Sequence, residues 1–276
     1  MNRNSSSQME TGGLEIEENA RYAASLFGPF RISLNGQPLG EPTWRRNRAR
    51  TMLKWFLVNP VEPFSEDQLC VLFWPDRSRQ KAANSLHVTL HYLRHVLEPG
   101  LPPRSPSTFI HRNGQKYYWF DPRDLWWTDV REVQALCAAA EAAKRKGDTQ
   151  QAISLYEQSL AYYRLTFLPE DVYEDVFTAL RCQHDIAHTR SLRHLMHLYL
   201  CVGQLPNALS CAMQMLAIDA YNEDAVKTIV HVYLRQSNYT GAIRQLDEFF
   251  DGLRRHMGIK PNNELLALRN SIMLSR

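Results

Sequence analysis

One short pattern in the C-terminal half of this 276-residue chain recurs after a fixed interval. His-Leu-Tyr-Leu at 197–200 reappears as His-Val-Tyr-Leu at 231–234, a spacing of 34 residues. Ala208 and Ala242 keep the same spacing, and each opens a further helical stretch after a short turn. A period of 34 residues is that of the tetratricopeptide repeat (TPR), in which each unit is a helix pair. The pattern therefore predicts a stack of helix pairs whose curved surface can hold a peptide, a ligand or a partner helix.

A third copy of the repeat does not keep the 34-residue spacing of the other two. Gly-Asp-Thr-Gln-Gln-Ala at 147–152 matches the turn between paired helices, but Ala152 precedes Ala208 by 56 residues. The array must therefore contain an insertion, either around residues 165–175 or in the helix that follows. This stretch carries four carboxylates, at Glu170, Asp171, Glu174 and Asp175. Such a run is either a solvated face or a contact for a basic partner, and the sequence leaves both open.

Residues 26–125 show a different pattern, with hairpins at both ends and helices between them. Alternating apolar residues over 30–34 run into Asn35-Gly36, which predicts a strand entering a tight turn. Helices are predicted over 45–58 and over 65–75, and the second opens with the Ser-x-x-Gln pattern of a capping box. A further hairpin is predicted over 109–120, because Asn-Gly lies between two short runs of strand-forming residues.

The longest helix of this half, predicted over 78–97, has two distinct faces. One face is an apolar stripe with spacings of three and four, formed by Ala83, Leu86, Leu90, Leu93 and Leu97. The other face carries Lys81, Asn84, Ser85, Val88, His91, Tyr92 and His95. No Asp or Glu occurs between residues 78 and 97. A polar face without carboxylates suits a helix in an anionic, base-lined groove, although a packing helix with an ordinary polar face is the competing interpretation.

Strands, three helices and a terminal hairpin are the order of elements in a winged helix. In that fold the second and third helices form a helix-turn-helix, the third enters the major groove, and the hairpin is the wing.

The charge distribution agrees with the interpretation of residues 26–125 as a winged helix. Residues 26–125 contain 14 Lys and Arg against 8 Asp and Glu, whereas residues 126–276 contain 16 against 17. A basic excess confined to one half is expected where that half alone binds a polyanion.

Motifs for other chemistries are few. Five cysteines are widely spaced without a Cys-x-x-Cys pair, which predicts buried free thiols. No nucleophile elbow, phosphate-binding loop or acid/base constellation occurs, so we expect no enzyme activity, no cofactor and no metal. Two histidine series have the i, i+4 spacing of shared metal ligands, but protonation beside phosphate is the favoured role. These series are His87, His91 and His95, and His184 and His188.

The order of elements, with several short motifs, resembles bacterial regulators of the SARP class (Streptomyces antibiotic regulatory proteins). These join an OmpR/PhoB-type winged helix to a TPR-containing bacterial transcriptional activator domain. The matching segments are Phe-Gly at 27–28, Leu-Phe-Trp-Pro at 72–75, residues 83–97, residues 203–209 and Met-Gly-Ile-Lys-Pro at 257–261. The resemblance implies binding to promoter repeats by paired protomers and recruitment of RNA polymerase holoenzyme. The wing sequence departs from the family pattern, and we expect no control by a receiver domain or an ATPase within this chain.

The candidate DNA contacts are divided by the part of DNA that they reach. Asn can bond adenine, Lys can reach guanine or phosphate, and Val can meet a thymine methyl group, so exposed side chains of the third helix are assigned to base edges. Basic residues elsewhere are assigned to phosphates, which fix register without reading sequence. The base-reading candidates are Lys81, Asn84, Ser85, Val88 and His91. The phosphate and wing candidates are Arg45, Arg46, Arg48, Arg79, Arg112 and Lys116.

The sequence thus predicts a mainly α protein: a disordered leader (1–25), an α+β winged helix-turn-helix domain (26–125) and an all-α TPR-like activator domain (126–276). No apolar run of about 18 residues occurs, so no membrane partner is expected. We expect a cytoplasmic, sequence-specific regulator that binds double-stranded promoter DNA, an activator that forms homodimers on direct repeats. The competing hypothesis is a TPR-based interaction adaptor whose winged helix binds protein rather than DNA.

Overall fold

The computed structural model describes residues 20–39, 47–102 and 104–274. These residues form two compact units. The first unit extends to Glu132 and also takes in Thr166–Thr178, while the second comprises Val133–Leu165 and the residues from Ala179 onward. The first unit therefore includes residues that the sequence analysis placed in the second domain.

The described residues of the first unit form two small sheets and three complete α-helices. Its elements, in chain order, are β1 (Tyr22–Ser25), β2 (Arg31–Leu34), β3 (Gln37–Pro38), α1 (Asn47–Val58), β4 (Phe64–Ser65), α2 (Glu66–Phe73), α3 (Arg79–Leu97), β5 (Ile110–Arg112), β6 (Tyr117–Phe120) and β7 (Trp126–Thr128). The strand order is β3-β2-β1-β7 in one sheet and β4-β6-β5 in the other. The pairing is antiparallel except between β1 and β7, which are parallel.

Strand β1 lies within the stretch that the sequence analysis assigned to a disordered leader. Residues 22–25 are ordered because Tyr22 is buried: its ring stacks on Trp126 at 4.7 Å and its hydroxyl donates to the carbonyl of Leu97 at 2.7 Å. The leader prediction is therefore wrong for β1, and residues 1–19 lie outside the described part of the chain. The predicted hairpin follows, with Asn35 and Gly36 at φ values of 49° and 75°, as a tight two-residue turn requires.

The three helices of the first unit end close to the predicted positions. The capping box of α2 is confirmed, since Gln68 N donates to Ser65 Oγ and Ser65 N donates to Gln68 Oε1. Helix α3 packs its apolar stripe against α1 and α2, with Leu86, Leu90, Leu93 and Leu97 all buried. The stripe opens one residue earlier than predicted, at Ala82 instead of Ala83.

The second sheet contains the predicted hairpin and one strand that the sequence did not reveal. Strands β5 and β6 form the hairpin, and the two-residue strand β4 adds to its free edge through Phe64 and Ser65. Because β4 leads directly into α2, it joins the hairpin to the helix-turn-helix. Two helices packed under a third, beside a three-stranded sheet that ends in a hairpin, form a winged helix.

The second unit is all helix, and the chain enters it within α4 (Asp129–Arg145). The helices that follow are α5 (Thr149–Tyr162), α6 (Thr178–Cys201), α7 (Leu205–Ile218), α8 (Glu223–Arg235), α9 (Tyr239–Gly252) and α10 (Asn263–Leu274). None of the described helices is long and apolar enough to cross a bilayer. All five cysteines carry free thiols, but Cys182 and Cys201 are exposed, so the expectation of buried thiols is wrong for these two.

Three helix pairs of this unit are joined by the same turn. In each, one residue has a positive φ and the next donates its amide to the carbonyl five residues back, as in a Schellman ending. The residues with positive φ are Gly147, Gly203 and Ser237. The bonds join Asp148 to Ala143 (3.0 Å), Gln204 to Tyr199 (2.8 Å) and Asn238 to Tyr233 (2.8 Å). The three predicted copies of the TPR-like repeat are therefore confirmed by their backbone geometry.

The predicted insertion accounts for the irregular spacing between the first two copies. Thr166–Thr178 leaves the helical stack and belongs to the first unit. The helix after it, α6, is 24 residues long, whereas α5 and α7 have 14 each. Both of the locations that the sequence left open therefore contribute to the extra length.

Candidate nucleic-acid interface

The outer face of α3 is open to solvent. Lys81, Asn84 and His91 are exposed, Val88 retains 48% of its accessible surface, and Ser85 is half-buried. All five lie opposite the stripe that packs on α1 and α2. The structure thus brings the predicted base-reading residues together on one accessible face, free of carboxylates over the whole helix.

Several side chains of this face are held in place by local hydrogen bonds. Arg77 donates from Nη1 to Ser85 Oγ at 2.8 Å, and that hydroxyl donates in turn to the carbonyl of Lys81 at 2.9 Å. At the other end of the face, Nε2 of His91 lies 3.2 Å from Nε2 of His95. Such bonds reduce the conformational freedom that a side chain must lose when it binds a ligand.

Glu66, in the first turn of α2, connects α3 to the wing. One of its oxygens accepts from Lys116 Nζ at 3.1 Å, and the other lies 3.1 Å from His87 Nε2 and 3.4 Å from the hydroxyl of Tyr118. Desolvation alone would raise the pKa of Glu66, but the bonds to Lys116 and His87 outweigh it and hold the pKa below its ordinary value. The anionic carboxylate therefore fixes the wing turn against the helix-turn-helix. Sequence reasoning missed this residue, because its partners lie 21 and 50 positions away.

The phosphate candidates of the helix-turn-helix and the wing are exposed but already have partners. Arg79 makes a two-point ion pair with Asp67, at 2.9 and 2.6 Å. The guanidinium of Arg112 lies 5.5 Å from the centre of the Tyr118 ring. Lys116 contacts Glu66, so each cation is oriented and can still reach a phosphate. Arg45 and Arg46 lie outside the described residues.

The cations of α1 face the acidic insertion. Arg48 Nη1 lies 2.9 Å from Glu174, and Arg50 Nη2 lies 2.8 Å from Glu170. Lys54, which is buried, is paired with Asp171. Three of the four carboxylates thus contact basic residues of their own chain, while Asp175 is exposed to solvent. Arg48 was predicted to meet phosphate, and it could do so only in competition with Glu174.

The histidine series lie in different surroundings from one another. Among the described residues, no group of three or more His, Cys, Asp and Glu side chains is placed to hold a metal ion. His188 instead stacks on Tyr163, with ring centres 4.5 Å apart and planes 2° from parallel. Burial lowers the pKa of His184 to about 4 and also lowers that of His188, so both favour the neutral form.

Comparison with solved structures identifies the fold of nearly the whole chain. A structure of Mycobacterium tuberculosis EmbR in complex with a low-affinity phosphopeptide superposes with a TM-score of 0.77 over 93% of this chain, at 18% identity. This chain corresponds to 66% of that chain's length. A TPR-containing domain of a Plasmodium falciparum FK506-binding protein (16% identity, 54% of this chain and 93% of that one) gives a TM-score of 0.40.

Comparison with protein families identifies the second half. No curated protein sequence matches the chain. The family described as the bacterial transcriptional activator domain matches residues 128–273, which is more than half of the chain. The family and the fold of this chain are those of transcriptional regulators, and the resemblance to the SARP class is confirmed. The chain therefore belongs to the bacterial transcriptional activator domain family.

Proposed function

We propose that this protein is a sequence-specific DNA-binding activator of transcription. The observation that carries the proposal is the outer face of α3, which is exposed, free of carboxylates and lined by Lys81, Asn84, Ser85, Val88 and His91. A helix-turn-helix places such a face against base edges in the major groove. Arg79 flanks that face at the start of α3, and Arg112 and Lys116 flank it on the wing, where cations can meet the phosphates.

The helical stack is the part of the chain that remains available for protein partners. We propose that it contacts RNA polymerase holoenzyme, because stacked helix pairs offer a continuous curved surface to a partner protein. Action on chromosomal DNA would place the protein in the cytoplasm. Recruitment of polymerase is testable by transcription in vitro from a bound promoter, with and without the protein.

Salt-titrated binding to duplex DNA tests the DNA-binding function directly. Fluorescence anisotropy with a random duplex should show affinity falling linearly with salt on logarithmic axes, because each phosphate contact releases counterions. Selection from a random duplex library should then enrich one sequence. A TPR adaptor whose winged helix binds protein would show neither the slope nor the enrichment.

Replacing Asn84 with alanine should weaken binding to the selected sequence and spare binding to random DNA. A bidentate contact to one base is worth about 1–3 kcal/mol, and it is lost only where that base is present. Asn270→Ala, which removes an exposed amide from α10, is the matched control and should leave both affinities unchanged. Equal losses on both DNAs would reject a base-reading role for Asn84.

Replacing Arg112 with alanine should lower the affinity for every sequence. One lost phosphate contact should also reduce the slope of log affinity against log salt by about 0.9. Arg31→Ala removes the same charge from an exposed position on β2 and controls for net charge. If both variants change the salt slope equally, Arg112 acts only through the net charge of the protein and not through a phosphate contact.

A further inference from the structure

We propose that the second unit contains a binding site for a short peptide with free charged ends and an apolar central side chain. The site is the α5–α7 pocket, a depression of about 360 Å³ lined by residues of α5, α6, α7 and the turn that follows α5. Its volume lies within the range of small-ligand sites, roughly 300–1,000 Å³. Such a site is independent of the DNA-binding function proposed above, and the two are tested separately.

The buried part of the lining is apolar. Leu195 is 3% exposed, Leu160 lies beside the same pocket, and Cys211 is 4% exposed. Burial raises the pKa of the Cys211 thiol to about 12, and the nearby charge of Glu157 acts in the same direction, so the thiol stays neutral. An apolar ligand side chain bound here exchanges water for hydrocarbon and an uncharged thiol, which is favourable.

One carboxylate lines the pocket and is held in position by a buried tyrosine. The hydroxyl of Tyr199, which is 4% exposed, donates to Oε1 of Glu157. Burial and this carboxylate raise the pKa of Tyr199, so its phenol remains a donor. Glu157 makes no ion pair with any described residue. A carboxylate has about four acceptor positions, so Glu157 can also accept from a ligand ammonium.

One guanidinium lines the same pocket, seven residues further along the chain. Arg164 is exposed just after α5 and forms no ion pair within the described part of the chain. The stacked rings of Tyr163 and His188 also line the pocket. Burial lowers the pKa of His188, so its imidazole favours the neutral form and adds no second positive charge. Arg164 is therefore placed to bind a ligand carboxylate, which a guanidinium can hold through two parallel bonds.

The separation of the two charges sets the length of the ligand. A helix rises about 1.5 Å per residue, so Glu157 and Arg164 lie about 10 Å apart along the axis of α5. An extended chain advances about 3.3–3.6 Å per residue, so a tripeptide spans a comparable length. Its ammonium then meets Glu157, its carboxylate meets Arg164, and its central side chain covers the apolar lining. Exposed polar groups that can bond its amides are those of Asn207, Ser210 and Gln214.

The affinity of such a ligand should be modest. At the binding efficiency per atom of drug-sized ligands, a tripeptide such as Ala-Leu-Ala binds with a Kd on the order of 0.1 mM. Glu157 and Arg164 are both exposed, so solvent screening limits each ion pair to a gain of about fivefold. A single amino acid is too short to reach both charges.

Calorimetric titration of the full chain tests the proposal. Ala-Leu-Ala is compared with its acetylated form, which lacks the ammonium, and with its amidated form, which lacks the carboxylate. The wild type should bind the unmodified peptide with a Kd on the order of 0.1 mM, and each modified peptide about fivefold more weakly. Absence of binding at millimolar Ala-Leu-Ala, or equal binding of all three peptides, would overturn the proposal.

Two variants assign the ends of the peptide. Arg164→Ala should bind the unmodified and amidated peptides equally, because the partner of the carboxylate is gone. Glu157→Gln should bind the unmodified and acetylated peptides equally. Arg235→Ala, which removes an exposed arginine from α8, is the matched control and should keep both distinctions. If Arg164→Ala still prefers the free carboxylate, the peptide does not bind in the α5–α7 pocket as proposed.

Discussion

Replacing Asp171 with alanine should lower the free energy of unfolding by about 3–5 kcal/mol. Lys54 is 2% exposed and its ammonium is paired with Asp171, which is itself buried. Removing the carboxylate leaves a positive charge in a region of low dielectric. Glu170 lies 3.6 Å from the same nitrogen and offsets part of the loss. Denaturant unfolding at constant pH gives the measurement.

Two further variants separate the buried pair from the general acidity of the insertion. Asp175→Ala removes an exposed carboxylate from the same segment and should change stability by no more than about 0.5 kcal/mol. Lys54→Met combined with Asp171→Leu removes both charges and should recover much of the stability, because apolar residues of similar volume often replace a buried pair without loss. An Asp171→Ala loss no larger than that of Asp175→Ala would contradict the assignment.

Replacing Asp129 with alanine should lower the free energy of unfolding by about 2–4 kcal/mol, since two buried backbone donors lose their acceptor. One oxygen of Asp129 accepts from the amides of Leu26 and Phe27, at 2.7 and 2.8 Å. The side chain is 2% exposed and lies at the start of α4, so these bonds fix the chain after β1 to that helix. Asp121→Ala, which removes a less buried carboxylate from the same unit, is the control. Comparable losses in the two variants would reject this role.

Asp129 also makes stability depend on pH in a defined direction. Burial raises the pKa of Asp129 from 3.8 to about 6, against the opposing effect of the hydrogen bonds from Phe27 and Leu26. The folded state therefore holds this proton more tightly than the unfolded state does. The stabilisation is complete below pH 4 and is lost as the pH rises to about 6, by up to about 1.4 kcal/mol per pH unit. Asp129→Asn should remove this contribution when the free energy of unfolding is measured between pH 4 and pH 6. If stability falls with pH as steeply in this variant as in the wild type, Asp129 is not the source of the pH dependence.

Local signals in the sequence were sufficient for most of the fold. The capping box of α2, the Asn35-Gly36 turn and the 34-residue period each depend on a few neighbouring residues, and each appears in the structure. The wing differs, because its turn spans residues 113–116 and the left-handed residue is Lys116 instead of Gly114. Strands β4 and β7 gave no comparable signal. They have two and three residues, and they form only because distant partners, β6 and β1, complete their hydrogen bonding.

The candidate interface also has one part that the sequence predicted and one part that it did not. The exposed face of α3 was predictable, because helical periodicity alone assigns each residue to one side. The positions of the cations were not, since Arg48 lies beside Glu174 and Lys116 beside Glu66 across separations of 126 and 50 residues. A basic residue in the sequence carries no indication of whether its nearest charge is a phosphate or a carboxylate of its own chain.

The helix pairs, the winged-helix order of elements and the polar face of α3 could be predicted from the residues alone, because they follow from periodicity and turn chemistry within short windows. The departure of the insertion from the helical stack and the pairing of its carboxylates with Arg48, Arg50 and Lys54 became visible only in the folded chain. Ion pairing depends on distances of a few ångströms between residues more than 100 positions apart. No spacing along the chain encodes those distances.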